Sequence, residues 1–193
     1  MSEVKLPKLK KVSDKKKILL LSDDLRMQSG IATQSKEFVM GTIHKYDWVQ
    51  LGGAVKHPEE GKIIDMSEAV KNEYEIENPY LKIYPLSGYG NPQVLRELLV
   101  IEKPDIIMHF TDPRFWIWLY QMEHEIRQHI PIMYYNIWDD IPDPLYNTNF
   151  YRSSDMLMSI SKQTYGINKR LLSKHGYKDW QLDYVPHGIS NRR

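Results

Sequence analysis

The chain has 193 residues, 41% hydrophobic and 26% charged, which is enough for one domain with a substantial core. A formal net charge of +1 gives no strong nucleic-acid signal and no field toward a membrane surface. The absence of cysteine excludes disulfides, thiolate chemistry and cysteine-ligated zinc; with no secretory signal and no transmembrane segment, a soluble cytoplasmic protein is expected.

Residues 1–16 read as a Lys-rich, flexible tail, and residues 17–190 as one domain. "KILLLS" (17–22) is a short continuous apolar run, the pattern of a strand buried on both faces. Residues 31–44 read as a helix that turns Ile31, Phe38, Val39 and Ile43 to a core. "DWVQLGGAV" (47–55) reads as a strand that breaks at Gly52-Gly53, with a short strand possible at 62–65. "LKIYPL" (81–86) is strand-like, and "NPQVLRELLVIEK" is a helix with Pro92 in its first turn. "PDIIMHF" (104–110) is a buried strand. It is followed by a helix with Asp112 as N-cap, Pro113 at its first position, and Phe115, Leu119, Met122 and Ile126 spaced along one face. Strands at 130–138 and 154–161, a helix at 162–175 stopped by Gly176, and a last strand in "QLDYVPHGI" complete the pattern.

Alternating strands and helices imply an α/β, Rossmann-like, doubly wound and mostly parallel sheet, whose ligands sit beyond the carboxyl ends of the strands. The chemically interesting residues fall at such ends. Ser29-Gly30-Ile31 lies between a strand and a helix, where unpaired amides and a partial positive charge suit a phosphate or a sugar, or where the chain merely turns. It is neither a Walker A loop nor G-x-G-x-x-G. Asp139, Asp140 and Asp143 follow another strand and could meet a metal, sugar hydroxyls or only the next turn. His109 ends an apolar strand, either packed or functional, with Asp112 just beyond it. His124 and His129 are five residues apart, about 140° round a helix, and do not make a zinc pair. Trp116, Trp118 and Tyr120 read as core and surface packing rather than a stacking platform for sugars or bases.

Four stretches together resemble the N-terminal, acceptor-side domain of retaining GT-B glycosyltransferases, glycosyltransferase family 4 in particular: "KILLLSDDLRMQSGIATQSKEFV", "EKPDIIMHF", "IPIMYYNIWDD", and "SSDMLMSISKQTYGINKRL" followed by "YVPHGIS". The resemblance implies transfer of a sugar from a nucleotide-sugar donor to an acceptor hydroxyl of unknown identity, with no metal and no cofactor. It implies that Ser29 and the backbone at Gly30 and Ile31 touch the donor diphosphate or the acceptor. Asp139 would match the family's aspartate, Ser161 and Lys162 would line the cleft, and Pro186-His187-Gly188 would begin an interdomain hinge; Asp112, Trp138 and Asp140, at the same strand ends, are the further substrate- or donor-binding candidates. Trp138 stands where the family has a histidine, so His109 is the expected substitute and is paired with Asp139 as the catalytic candidates. The second Rossmann-like domain is expected after Arg193, so the chain reads as a fragment, an isolated domain or one subunit of a split enzyme, inactive without its C-terminal partner. A non-catalytic carbohydrate-binding or partner subunit of glycosyltransferase type, and an unrelated nucleotide-binding Rossmann-like domain, are the alternatives.

Overall fold

Strand β1, Lys17–Asp23, is the centre of the molecule. Its alternate side chains enter opposite cores: Leu19 and Leu21 pack on one face, Ile18 and Leu20 on the other. A strand covered on both faces needs a continuous apolar run, and full burial of each leucine contributes about 2 kcal/mol. The computed structural model describes residues 15–54 and 56–188, so most of the Lys-rich tail lies outside the described residues. Lys15 and Lys16 are already tied to the domain, Lys15 to the Ile43 and Asn78 carbonyls and Lys16 to Asp105 at 2.7 Å.

Around β1 lie β2 (Asp47–Ala54), β3 (Ile64–Asp65), β4 (Leu81–Ser87), β5 (Ile106–Phe110), β6 (Ile132–Asn136), β7 (Met156–Ser159) and β8 (Leu182–Tyr184). They form one sheet in the order β3-β4-β2-β1-β5-β6-β7-β8. Every neighbouring pair is parallel except the short edge strand β3, which runs antiparallel to β4. Helix α1 (Gly30–Thr42) buries Val39 on one face of the sheet, helped by α2 (Ser67–Tyr74). Helix α3 (Pro92–Glu102) buries Leu95 and Leu98 on the other. The short helices α4 (Ile117–Gln121), α5 (Glu123–Ile126) and α6 (Thr148–Arg152), and the longer α7 (Lys162–Ser173), complete the layers. No helix among the described residues is long and apolar enough to cross a membrane.

Two sequence expectations are corrected. β2 does not break at Gly52-Gly53 but stays in register with β1 through Ser22–Gly52 and Asp23–Gly53. The glycines serve close approach: a Cβ on Gly52 would lie 2.9 Å from the Asp24 Cβ, and one on Gly53 would lie 2.8 Å from the Gly88 carbonyl oxygen. The helix expected after Asp112 is three short pieces, a 3₁₀ turn at Pro113–Trp116 followed by α4 and α5. The tighter turn moves the buried position by one residue, so Trp116 is fully buried and Phe115 is 55% exposed.

Because β1 is followed by neighbours on one side and β5 by neighbours on the other, the chain reverses direction between these two strands. Their connections leave on opposite faces, which opens a crevice beyond their carboxyl ends.

Candidate functional site

Beside this crevice, a cleft of about 470 Å³, within the size range of ligand sites, opens beyond the carboxyl ends of β1 and β2. Asp23 at the end of β1 and Arg26 and Ser29 of the β1–α1 connection form one wall, Gly53 and Ala54 its floor, and Tyr89 of the β4–α3 connection the other wall. Ser29 is the N-cap of α1: its extended backbone lets Oγ accept from the Ala32 amide (2.9 Å) while the hydroxyl donates to Asp23 Oδ2 (2.8 Å). Asp23 thus sets a carboxylate beside the helix N-terminus and complements its dipole. A Cβ at Gly30 would meet nothing within 4 Å, so the protein's own packing does not require that glycine.

Beneath the Asp23 wall lies a charged network that the sequence reading did not assemble. The Asp24 side chain is fully buried and accepts from the Arg26 amide (2.9 Å), Nε (3.1 Å) and Nη2 (2.7 Å). Arg26 also reaches Glu59 through Nη1 at 2.7 Å. His57 Nδ1 accepts from the Glu59 amide (3.1 Å), which places the proton of the neutral ring on Nε2, 3.0 Å from Asp24 Oδ2. Burial pushes the Asp24 carboxyl up, but the hydrogen bonds from Arg26 and the neighbouring charges outweigh it and hold the group below its ordinary range. The network locks Arg26 against the β2–β3 connection and leaves its charge spent on two carboxylates.

Tyr89 is held from several directions. Gly88 and Gly90 on either side have φ of +69° and +79°, the left-handed region that favours glycine. The ring lies against Gly53, where a Cβ would sit 2.9 Å from the Tyr89 Cδ1. It stacks on Phe115 (centroids 5.0 Å, planes 12° apart) and meets the edge of Trp116 at 5.6 Å. Trp118 Nε1 donates to the Tyr89 carbonyl at 3.2 Å. Burial, then the charge and hydrogen bond of Asp23, then the charge of Asp112 push the Tyr89 hydroxyl above its ordinary value.

The residues singled out from sequence fall into separate places. Asp112 caps the 3₁₀ turn and is paired with Arg114, next to the cleft's aromatic wall. Trp138, Asp139, Asp140, Ser161 and Lys162 come together at the carboxyl ends of β6 and β7. There Thr164 Oγ1 donates to the Trp138 carbonyl (2.8 Å), and Gln163 donates to the Asp139 carbonyl (3.2 Å). Ser161 is the N-cap of α7, accepting from the Thr164 amide at 3.0 Å, and Lys162 is exposed. The Trp138 indole donates to the Asp140 carbonyl at 2.8 Å, and Asp139 and Asp140 are exposed. The carboxylate of Asp143 is not free to join them, because it takes two hydrogen bonds from Arg170, at 2.7 and 2.6 Å. No group of three or more metal-ligating His, Asp or Glu side chains occurs among the described residues. Pro186, His187 and Gly188 lie apart, lining a second cavity of about 260 Å³ against Phe38 and Gly41 of α1. His187 packs on Phe110 and Tyr135, and burial lowers its imidazole.

His109 is inside the core, not on the cleft surface. Its side chain has no exposure, stacks on Tyr134 at 5.0 Å and places Nδ1 2.7 Å from the Tyr120 hydroxyl. Tyr120 stays protonated, so it donates to Nδ1, and the ring proton sits on Nε2, which has no hydrogen-bond partner. Burial drives its pKa down to about 3, with only a small opposing effect from Asp112. A neutral, sequestered imidazole cannot exchange a proton with a ligand in this conformation. The sequence reading missed Tyr89, Arg26 and His57. The Gly-Tyr-Gly after β4 was a visible signal, but only the strand order places it opposite Ser29.

No protein-family model matches the chain, and no curated protein matches it in sequence. Solved structures do match in fold. One is Alr3699/HepE of Anabaena, in complex with UDP and glucose: TM-score 0.53 and 13% identity, over 90% of this chain and 45% of that one. The fold is half of a GT-B architecture. A second match, the α,α-trehalose 6-phosphate synthase of Burkholderia multivorans, has a TM-score of 0.50 and 10% identity, over 91% of this chain and 50% of that one. The chain therefore spans about half the length of the solved chains it matches.

Proposed function

We propose that this domain is the acceptor-side half of a glycosyltransferase that moves a sugar from a nucleotide-sugar donor to an acceptor hydroxyl. The observation that carries the reading is the cleft beyond the carboxyl ends of β1 and β2, on a fold shared with half of a chain that holds UDP and glucose. Departure of a nucleoside diphosphate requires cations or oriented dipoles aimed at its developing charge. Arg26 is the cation lining this cleft, and Asp24 and Glu59 already take its hydrogen bonds. The cleft can hold and orient an acceptor; stabilising the leaving group falls to a second half. Trp138, at the position where the resemblance calls for histidine, and the sequestered His109 favour one other reading, a non-catalytic subunit that binds carbohydrate.

The test is a UDP-release assay with UDP-glucose and a panel of glycoside acceptors, run on this chain alone and after joining it to the second half of a GT-B enzyme. The reading expects no turnover alone and acceptor-dependent UDP release from the joined protein. Robust transfer by the chain alone, or tight binding of a free mononucleotide in a thermal-shift titration, would overturn it.

A further inference from the structure

The cleft carries a pre-organised aromatic wall and an excess of negative charge, and together these select a ligand. Tyr89 is fixed before any ligand arrives: Gly88 and Gly90 hold its backbone, Gly53 admits its ring, and Phe115 and Trp116 pack against it. A ring already immobilised costs little further entropy on binding. Its neighbour Phe115 is exposed, so the stacked pair extends the apolar wall to the rim. At the hydroxyl end of the ring, Asp23 presents a hydrogen-bond acceptor, half-buried and already bonded by Ser29 and by the Tyr89 hydroxyl, with further carboxylate lone pairs left for a ligand. The surrounding charges are the carboxylates of Asp23, Asp24, Glu59 and Asp112 against the guanidinium groups of Arg26 and Arg114. Each guanidinium is paired with one or two of those carboxylates.

Resting on the acceptor-side reading above, we infer that Tyr89 and Asp23 form a subsite for a non-anionic pyranose ring, and that the cleft rejects phosphorylated sugars. The C–H face of a pyranose lies on the Tyr89 ring and its hydroxyls donate to Asp23, whereas a phosphate would meet Asp23 and find no unpaired cation. An amino sugar fits as well as a neutral one, because its ammonium would complement the uncompensated carboxylate.

The experiment is an NMR titration of the whole ¹⁵N-labelled chain with methyl α-D-glucopyranoside, glucosamine and glucose 6-phosphate, followed at the Ser29, Gly53 and Tyr89 amides. The glucoside and glucosamine are expected to shift those amides, with glucose 6-phosphate at least about tenfold weaker. Tyr89→Leu should weaken glucoside binding about tenfold, the effect of losing one aromatic contact of about 1.4 kcal/mol. Asp23→Asn should narrow the gap between glucoside and phosphate. Thermal unfolding establishes that each variant is folded, and the wild-type shift map tests the site without any variant. Equal or tighter binding of glucose 6-phosphate at the same amides overturns the charge selection and leaves the acceptor-side reading standing. Shifts confined to other amides, or binding unchanged in Tyr89→Leu, overturn the subsite. No shift with any of the sugars overturns the subsite and counts against the acceptor-side reading as well.

Discussion

Acidification from about pH 7.5 to about pH 4.5 is expected to remove roughly 3 kcal/mol of stability through His109 alone. An unfolded histidine titrates near pH 6.5, whereas burial holds His109 in the folded protein at about 3. Between those values the unfolded chain carries a proton that the folded one excludes. The stability is therefore full above about pH 6.5 and falls as pH drops, by about 1.4 kcal/mol per unit. The cause is local: protonation would place a charge among Tyr120, Tyr134 and Trp116 with no water access, and would cost Nδ1 the hydrogen bond it accepts from Tyr120. Asp112 is the carboxylate acting on it, and its effect is smaller than that of burial. His187 and carboxylates such as Asp24, Glu102 and Asp105 are also lowered and add their own acid losses, so the comparison must be differential. Urea unfolding, followed by circular dichroism across this pH range for the wild type and His109→Phe, isolates the residue. The variant loses one hydrogen bond, about 1 kcal/mol at neutral pH, but its stability should fall less steeply toward acid by the slope above. Parallel curves for the two proteins would refute the reasoning, since they would mean that His109 is protonated, or reaches solvent, in the folded state.

Three further outcomes follow from the same geometry. Glu102 is a buried carboxylate that accepts from Lys17 Nζ (2.9 Å), the Tyr80 hydroxyl (2.8 Å) and the Tyr84 hydroxyl, joining α3 to β1 and β4. Glu102→Ala leaves those donors unpaired and should cost about 3 kcal/mol in urea unfolding; a loss below about 1 kcal/mol would show that the clasp is not holding these elements. Gly52→Ala forces a Cβ to within 2.9 Å of Asp24, so it should destabilise by roughly 1–3 kcal/mol and shift the Arg26 and His57 resonances, whereas a silent substitution would mean that the β1–α1 connection yields freely. Ser29→Ala removes the α1 cap and the tie to Asp23 and should cost about 1 kcal/mol, with exchange protection lost first at Ala32.

Much of the layout was legible in order along the chain. The doubly buried run at 17–22, Pro92 at the start of α3, Asp112 and Ser161 at strand-to-helix junctions and Gly176 after α7 are local signals, and each acts within a few residues of itself. That locality is why the α/β class and the strand positions could be read directly, and why the glycines of β2 were misread. Gly52 and Gly53 look like a break from their own neighbours; their purpose is Asp24 on one side and the Gly88–Tyr89 turn on the other. The single helix expected after Asp112 failed for the same reason, because a 3₁₀ turn there sends Trp116 rather than Phe115 into the core. The candidate site was legible only as separate pieces. Ser29 was marked by its place before a helix, but Tyr89, Arg26 and His57 join it only because the sheet sets β4 and β2 beside β1. His109 marked a strand end correctly, while the direction of its side chain followed from the alternation of β5 and the packing of Tyr120 and Tyr134 above it. Hydrophobic period and capping act through near neighbours and are written into the chain; strand order, burial and charge pairing depend on residues tens of positions apart, and only the folded sheet brings those together.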